Sequence, residues 1–320
     1  MVDCVEAKCV LTNAMTHKSI STALTEFLKV WGVLTLVVVA GFVLAYQYVG
    51  VPPPKVVRIA TGAKSGAYYS FAQQYARLLA SDGIVLEVVP TAGSVENFER
   101  LKKGDVSLAL VQSGSAAPDD KQRLQSLGSL FLEAVWIVSR AQKPIKQFSQ
   151  LKGRRIAVGA AGSGTYLLAT QLLAAMGATE GNTTLLRGDS AQALAGLSQG
   201  TIDAAFFVAA PTSPFIRSLL EQPGMELVEF DRAAAYGRLF SFLTPVTLAE
   251  GVLNLERNIP PRDITMLAVS ANLAASRDLH PGLIPALLGA VKMVHRYGGV
   301  LEQKRQFPSV EFVDLPLNED

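Results

Sequence analysis

Two loops hold most of the side chains whose types and spacing suit chemistry. Thr61-Gly62-Ala63-Lys64-Ser65-Gly66-Ala67-Tyr68-Tyr69 and Gly159-Ala160-Ala161-Gly162-Ser163-Gly164-Thr165 each follow a short β-type run and open a helical pattern. A helix N-terminus offers unpaired backbone N–H groups and a partial positive charge. Glycines let that backbone come close to a ligand, and serines add hydroxyl donors, so such loops take up carboxylate or phosphate without arginine. Neither loop is a nucleotide motif: the second is not G-x-G-x-x-G, and it lacks the P-loop lysine. A third loop, Thr91-Ala92-Gly93-Ser94-Val95-Glu96-Asn97, follows the strand-like IVLEVVP and opens another helix. Its Ser94 and Asn97 either point at a ligand or serve the helix, Ser94 as its cap. Gln112 ends a buried strand, where open α/β sheets tend to meet their ligands; it either faces a ligand or caps the loop that follows. Lys64 is the one cation near these elements. It either pairs with a ligand carboxylate or stands solvated.

Groups for covalent or metal chemistry are sparse. His17, His280 and His295 have no metal-type spacing, and Cys4 and Cys9 sit together near the start without a metal pattern. Ser163 has no histidine nearby in sequence, and Asp105 and Asp203 stand at turns between a helix and a strand. The expectation is therefore a binding protein, not an enzyme, with no cofactor and no metal. Charged residues make up 18% and the net charge is +2, without the basic runs that track phosphates, so nucleic acid is not an expected partner. Hydrophobic residues at 49% are enough for a sizeable core.

The elements that position the loops repeat. RIATGAKSGAYYSFAQQYARLLA from Arg58 matches RIAVGAAGSGTYLLATQLLAAMG from Arg155, and NFERLKKGDVSLALVQ from Asn97 matches ALAGLSQGTIDAAFFV from Ala193. Gly62 and Gly104 are 42 positions apart, and Gly159 and Gly200 are 41 apart. One order of elements at one spacing predicts two similar α/β lobes, each with a mainly parallel sheet. In the first helix Phe71, Tyr75, Leu78 and Leu79 share a face, and in the second Leu168, Leu172 and Leu173 do. Leu127–Arg140 and Leu239–Glu250 suit the passages between lobes. The tail carries a strand over Ile264–Ser276 and a helix over Pro281–Gly298, both expected on the first lobe. The predicted boundaries are 56–138 with 245–310 for lobe 1 and 139–244 for lobe 2.

Residues 30–49, VWGVLTLVVVAGFVLAYQYV, carry no charge over 20 positions, about what crosses a hydrocarbon core as a helix. Trp31, Tyr46 and Tyr48 sit near its ends, and the Pro52-Pro53-Pro54 linker follows. The expectation is a single transmembrane anchor after a cytoplasmic segment 1–29, with a linker at 50–55. A buried core helix and a leader cleaved near Val43-Leu44-Ala45 are the alternatives. Lysines and arginines flank both sides and do not orient it. An anchor near the N-terminus with a folded body behind it predicts that body in the periplasm or extracytoplasmic space, tethered to the cytoplasmic membrane.

Five motifs in order resemble one family. T-G-x-x-x-G-x-Y-Y (Thr61 to Tyr69), T-A-G-S-V-E-N (Thr91 to Asn97), L-A-L-V-Q (Leu108 to Gln112), L-K-G-R-R-I-A-V-G-x-x-G-S-G-T (Leu151 to Thr165) and G-T-I-D-A-A-F-F-V-A (Gly200 to Ala209) are similar to the TAXI family. Its members are TRAP-transporter-associated extracytoplasmic solute receptors, also called NMT1-like. The resemblance spans roughly residues 56 to 300. It implies a type II periplasmic-binding-protein-like fold, two α/β lobes with a hinged cleft, and small anionic ligands: dicarboxylates, 2-oxo acids or acidic amino acids such as glutamate. A TRAP-type permease is the implied partner, and a membrane-anchored sensor signalling to another membrane protein is the alternative function. The resemblance implies ligand contacts at Ser65, Gly66, Tyr68, Tyr69, Ser94, Asn97, Gln112, Gly162, Ser163, Gly164 and Thr165. Gly62, Lys64 and Phe207 complete the candidate set. Lys64 stands where a small residue is expected, and the stretch after the second lobe departs from the family's usual one.

Overall fold

A computed structural model describes residues 25, 27, 29–44 and 52–318. Residues 1–52 and residues 53–320 form separate units. In the first unit, residues 29–44 are helical with every side chain exposed. Among the described residues no helix is long and apolar enough to cross a membrane. Of the expected span 30–49, residues 45–49 lie outside the described ones, so the full 20-residue anchor is not shown.

The second unit is built on one ten-stranded mixed sheet. The first repeat supplies β1 (Val56–Ala60), α1 (Ala67–Ala80), β2 (Val85–Val89), α2 (Ser94–Lys103) and β3 (Leu108–Gln112). The short α3 (Asp120–Arg123) leads into β4 (Leu124–Arg140). The second repeat supplies β5 (Arg155–Ala157), α4 (Gly164–Ala175), β6 (Thr184–Leu186), α5 (Ser190–Gln199) and β7 (Ala204–Ala209). Then come α6 (Pro214–Leu220), β8 (Met225–Leu227), α7 (Ala233–Leu239), β9 (Thr244–Leu248), β10 (Ile264–Ser276) and α8 (Ile284–His295).

The strand order is β2-β1-β3-β10-β4-β7-β5-β6, with β8 on β4 and β9 on β10. Each repeat thus lays down the same three-stranded parallel group, with β1 or β5 in the middle. The antiparallel pair β4 and β10 joins the groups. The repeats also share their turns. α2 and α5 both stop at a glycine in the left-handed region, Gly104 at φ 73° and Gly200 at φ 75°, where a side chain would be strained. Arg58 donates to the backbone oxygen of Asp105 at 2.8 Å, and Arg155 grips the Asp203 carboxylate at 2.6 and 3.0 Å. Asp203 serves its turn through its carboxylate, while Asp105 contributes its backbone oxygen at the matching turn.

Packing follows the sequence periods. α1 buries Tyr68, Ala72, Tyr75 and Leu79, the i, i+4, i+7 stripe of a core-facing helix. That face is rotated by part of a turn from the expected one, and Phe71 and Leu78 are only partly covered. α8 packs against α1, its Leu287 and Val291 in the same core as Val57 and Ile59. The tail strand and helix therefore return to the first repeat. A second core holds Ile156, Leu168, Leu172, Phe206, Phe148 and Phe230. β4 is buried from Leu124 to Ser139, which explains its near-continuous apolar run. In the stretch from Leu239 to Glu250, α7 ends at Leu239, and a strand forms only from Thr244.

Candidate functional site

Three helices of the second unit begin at one cavity. The residues preceding α1, α2 and α4 are Gly66, Gly93 and Ser163, and all three line it. So do the first residues of the helices: Ala67 and Tyr68, Ser94, and Gly164 and Thr165. The cavity measures about 160 Å³. Sheet topology explains the convergence. β1, β2 and β5 lie in parallel groups, and the loops at their C-terminal ends, which open α1, α2 and α4, line the same crevice.

The two repeats touch here. A β-carbon added to Gly93 would lie 3.8 Å from the Ser163 Cα, and one added to Gly164 would lie 2.5 Å from the Gln112 Oε1. Gly164 thus leaves room for the tip of the Gln112 side chain, and its backbone angles do not call for glycine. Ser163 caps α4, accepting from the Tyr166 N–H at 3.2 Å and donating to the Ala160 oxygen at 2.7 Å. Ser94 Oγ accepts from the Gln112 N–H at 2.9 Å, which ties the start of α2 to the end of β3. Orphan N–H groups of three helix starts, each with the positive end of a helix dipole, make this crevice attractive to a carboxylate.

The same cavity is lined by Glu133 of β4, 5% exposed. The Tyr68 hydroxyl donates to its Oε2 at 2.6 Å. Burial pushes the Glu133 carboxyl up to about 7, with the Tyr68 hydrogen bond opposing the rise. Burial, and then the charge on Glu133, push the Tyr68 phenol well above its ordinary range. Among the described residues, no lysine, arginine or histidine lines this cavity.

Behind this pair, Phe131 of the same strand stacks on His295 at 5.4 Å, and the Tyr75 hydroxyl meets the His295 Nε2 at 2.5 Å. Burial holds the imidazole down at about 4.

Gly62, Gly66, Tyr68, Ser94, Gln112, Ser163, Gly164 and Thr165 meet in the cavity. Two hollows share its rim. One of about 210 Å³ includes Ser163, Thr165 and Phe207; one of about 450 Å³ includes Lys64, Ser65 and Gly66. Lys64 is exposed and outside the central cavity. Tyr69, Gly162 and Asn97 line none of the three. Asn97 is fully buried, and its amide donates to the Thr61 oxygen and to the Leu110 oxygen at 2.7 Å while the Thr91 hydroxyl donates to it at 2.6 Å. It holds β1, β3 and the third loop together.

Sequence reasoning missed Glu133 and Ser213. A signal for Glu133 existed: it is the one charged residue between Leu124 and Ser139 in a buried strand. Among the described residues no group of three or more His, Cys, Asp or Glu could hold a metal.

The fold is similar to that of the alkanesulfonate-binding protein SsuA from Xanthomonas axonopodis pv. citri bound to MOPS. The TM-score is 0.52 at 18% identity, over 76% of this chain and 74% of that one. It is also similar to an ancestral arginine-binding protein bound to arginine, with TM-score 0.52 and 12% identity over 78% of this chain and 96% of that one. A third similar structure is the effector binding domain of a BenM variant, with TM-score 0.51 and 13% identity over 76% and 96% of the two chains. These likenesses establish an α/β periplasmic-binding-protein-like fold. A family model described as the NMT1-like family matches residues 59–291. With nearly three quarters of its length matched, the chain belongs to the NMT1-like family.

Proposed function

We propose that this protein is an extracytoplasmic solute receptor of the TAXI type that closes on a small carboxylate-bearing ligand for uptake. The observation that carries the reading is the meeting of three helix N-termini from two repeats in one cavity. The helix starts take up the carboxylate, and Gln112, Ser94 and Thr165 offer further polar atoms. Dicarboxylates, 2-oxo acids and acidic amino acids are the ligand class.

The body works as two lobes, 56–138 with 245–310 and 139–244, and the chain passages through β4, β9 and β10 act as the hinge. Residues 30–49 anchor it in the cytoplasmic membrane with the body outside, and a TRAP-type permease receives the ligand. The uncharged 20-residue run supports the anchor. The solute-binding proteins of similar fold support binding over catalysis.

A thermal-shift screen of the full chain against dicarboxylates, 2-oxo acids and amino acids tests the reading. A ligand at 100 times its Kd stabilises the folded state by about 2.7 kcal/mol. If no carboxylate moves the transition, the receptor reading falls.

A further inference from the structure

Glu133 stands out as an acid in a place that disfavours one. It is 5% exposed, on a central strand, and no ion pair reaches it among the described residues. Its Oε2 accepts the Tyr68 hydroxyl at 2.6 Å, a length typical of an O–H donor on a charged carboxylate. Its Oε1 takes no hydrogen bond from a described residue. An uncompensated buried charge costs stability, so a side chain of this kind points to a partner that arrives from outside. The same cavity presents three helix starts to a carboxylate. Two carboxylates in so small a space repel unless a positive charge joins them, and the lining supplies no cationic side chain.

We propose that Glu133 is the specificity-determining residue of the cavity and accepts a protonated amine of the ligand, so that the site selects small zwitterions with both a carboxylate and an ammonium group. The inference rests on the receptor reading and narrows it: among carboxylates, an amino acid is preferred to the oxo acid of the same skeleton. Tyr68 holds the Glu133 carboxylate from one side and leaves the other oxygen to the ammonium. The carboxylate of the ligand then faces Gly164 and Ser94. The arrangement neutralises each ligand charge with a group already in place, which is the economy expected of a buried polar site.

The test is calorimetric titration of the full chain and of Glu133→Gln with two matched pairs, glutamate against 2-oxoglutarate and alanine against pyruvate. The wild type is expected to bind at least one amino acid roughly ten-fold or more tighter than its oxo acid. In Glu133→Gln the amino acid weakens by a similar factor, while the oxo acid holds or tightens because a like charge has gone. Equal binding of both members of a pair by the wild type, or equal loss of both in the variant, overturns the inference and leaves the receptor reading standing. Wild-type binding of a carboxylate without nitrogen, and of neither amino acid, has the same effect. Failure to bind any carboxylate overturns both.

Discussion

The Gln112 side-chain oxygen lies 2.5 Å from where a β-carbon on Gly164 would be, so the end of β3 and the start of α4 meet across the two repeats with no room for a side chain between them.

Gly164→Ala is predicted to push the Gln112 side chain aside. Gln112 Oε1 is the far end of a flexible chain, and Gly164 is helical, so the transition temperature should stay close to wild type while affinity falls roughly ten-fold. Gly164→Asp adds a like charge at the helix start and should abolish carboxylate binding. Calorimetry alongside a melting curve checks both; unchanged affinity in both variants means the contact does not serve the ligand.

Glu133→Gln is predicted to stabilise the ligand-free protein, with a pH signature. The Glu133 carboxyl titrates at about 7 folded against 4.5 in its ordinary state. Its raised value means that protonation favours the fold below pH 4.5, and that this contribution is lost as pH rises to 7. The gap of about 2.5 units corresponds to on the order of 3 kcal/mol. The variant's advantage should be largest above pH 7 and vanish near pH 4.5. His295 acts with the opposite sign. Its value is lowered from 6.5 to about 4, so stability is lost as pH falls through that window. The two partly cancel in the wild type, and only the difference between variant and wild type isolates Glu133. Denaturant titrations at several pH values measure it, and a pH-independent difference would refute the assignment.

Asn97→Ala is expected to act on stability and not on affinity. It strips the amide donors from the Thr61 and Leu110 oxygens and an acceptor from the part-buried Thr91 hydroxyl, which keeps the Thr61 oxygen as a partner at 2.8 Å. Losing these buried side-chain bonds costs about 2 kcal/mol. Urea unfolding should show that loss, and titration of the folded protein should show near wild-type affinity. A large affinity loss with intact stability would instead put Asn97 in contact with the ligand.

Asp203→Ala should cost about 1 kcal/mol, because it removes a paired turn acceptor while the half-exposed Arg155 rehydrates. Ligand affinity should not change. The same melting and titration pair reads it, and an affinity loss would mean that the turn is coupled to the cavity.

Much of the fold was legible because the repeat carries it. Matching glycines at Gly104 and Gly200, matching arginines at Arg58 and Arg155, and the apolar runs of β4 and β10 specify elements and their order through local rules of period and turn chemistry. Glycine-rich starts of helices likewise name themselves, since only backbone N–H groups and small side chains are needed to take up an anion.

Local pattern in the chain thus specifies two repeated β-α-β-α-β units and the glycine-rich loops that open their helices. The tertiary structure alone decided which loop residues share a cavity. Asn97 turns inward to the strands, Lys64 stays at an outer rim, and Glu133 comes from a strand that reads as a buried passage. The side of a strand that a residue faces, and the distance between two repeats offset by 97 residues from Arg58 to Arg155, depend on how β4 and β10 pack between them, and no local spacing encodes that.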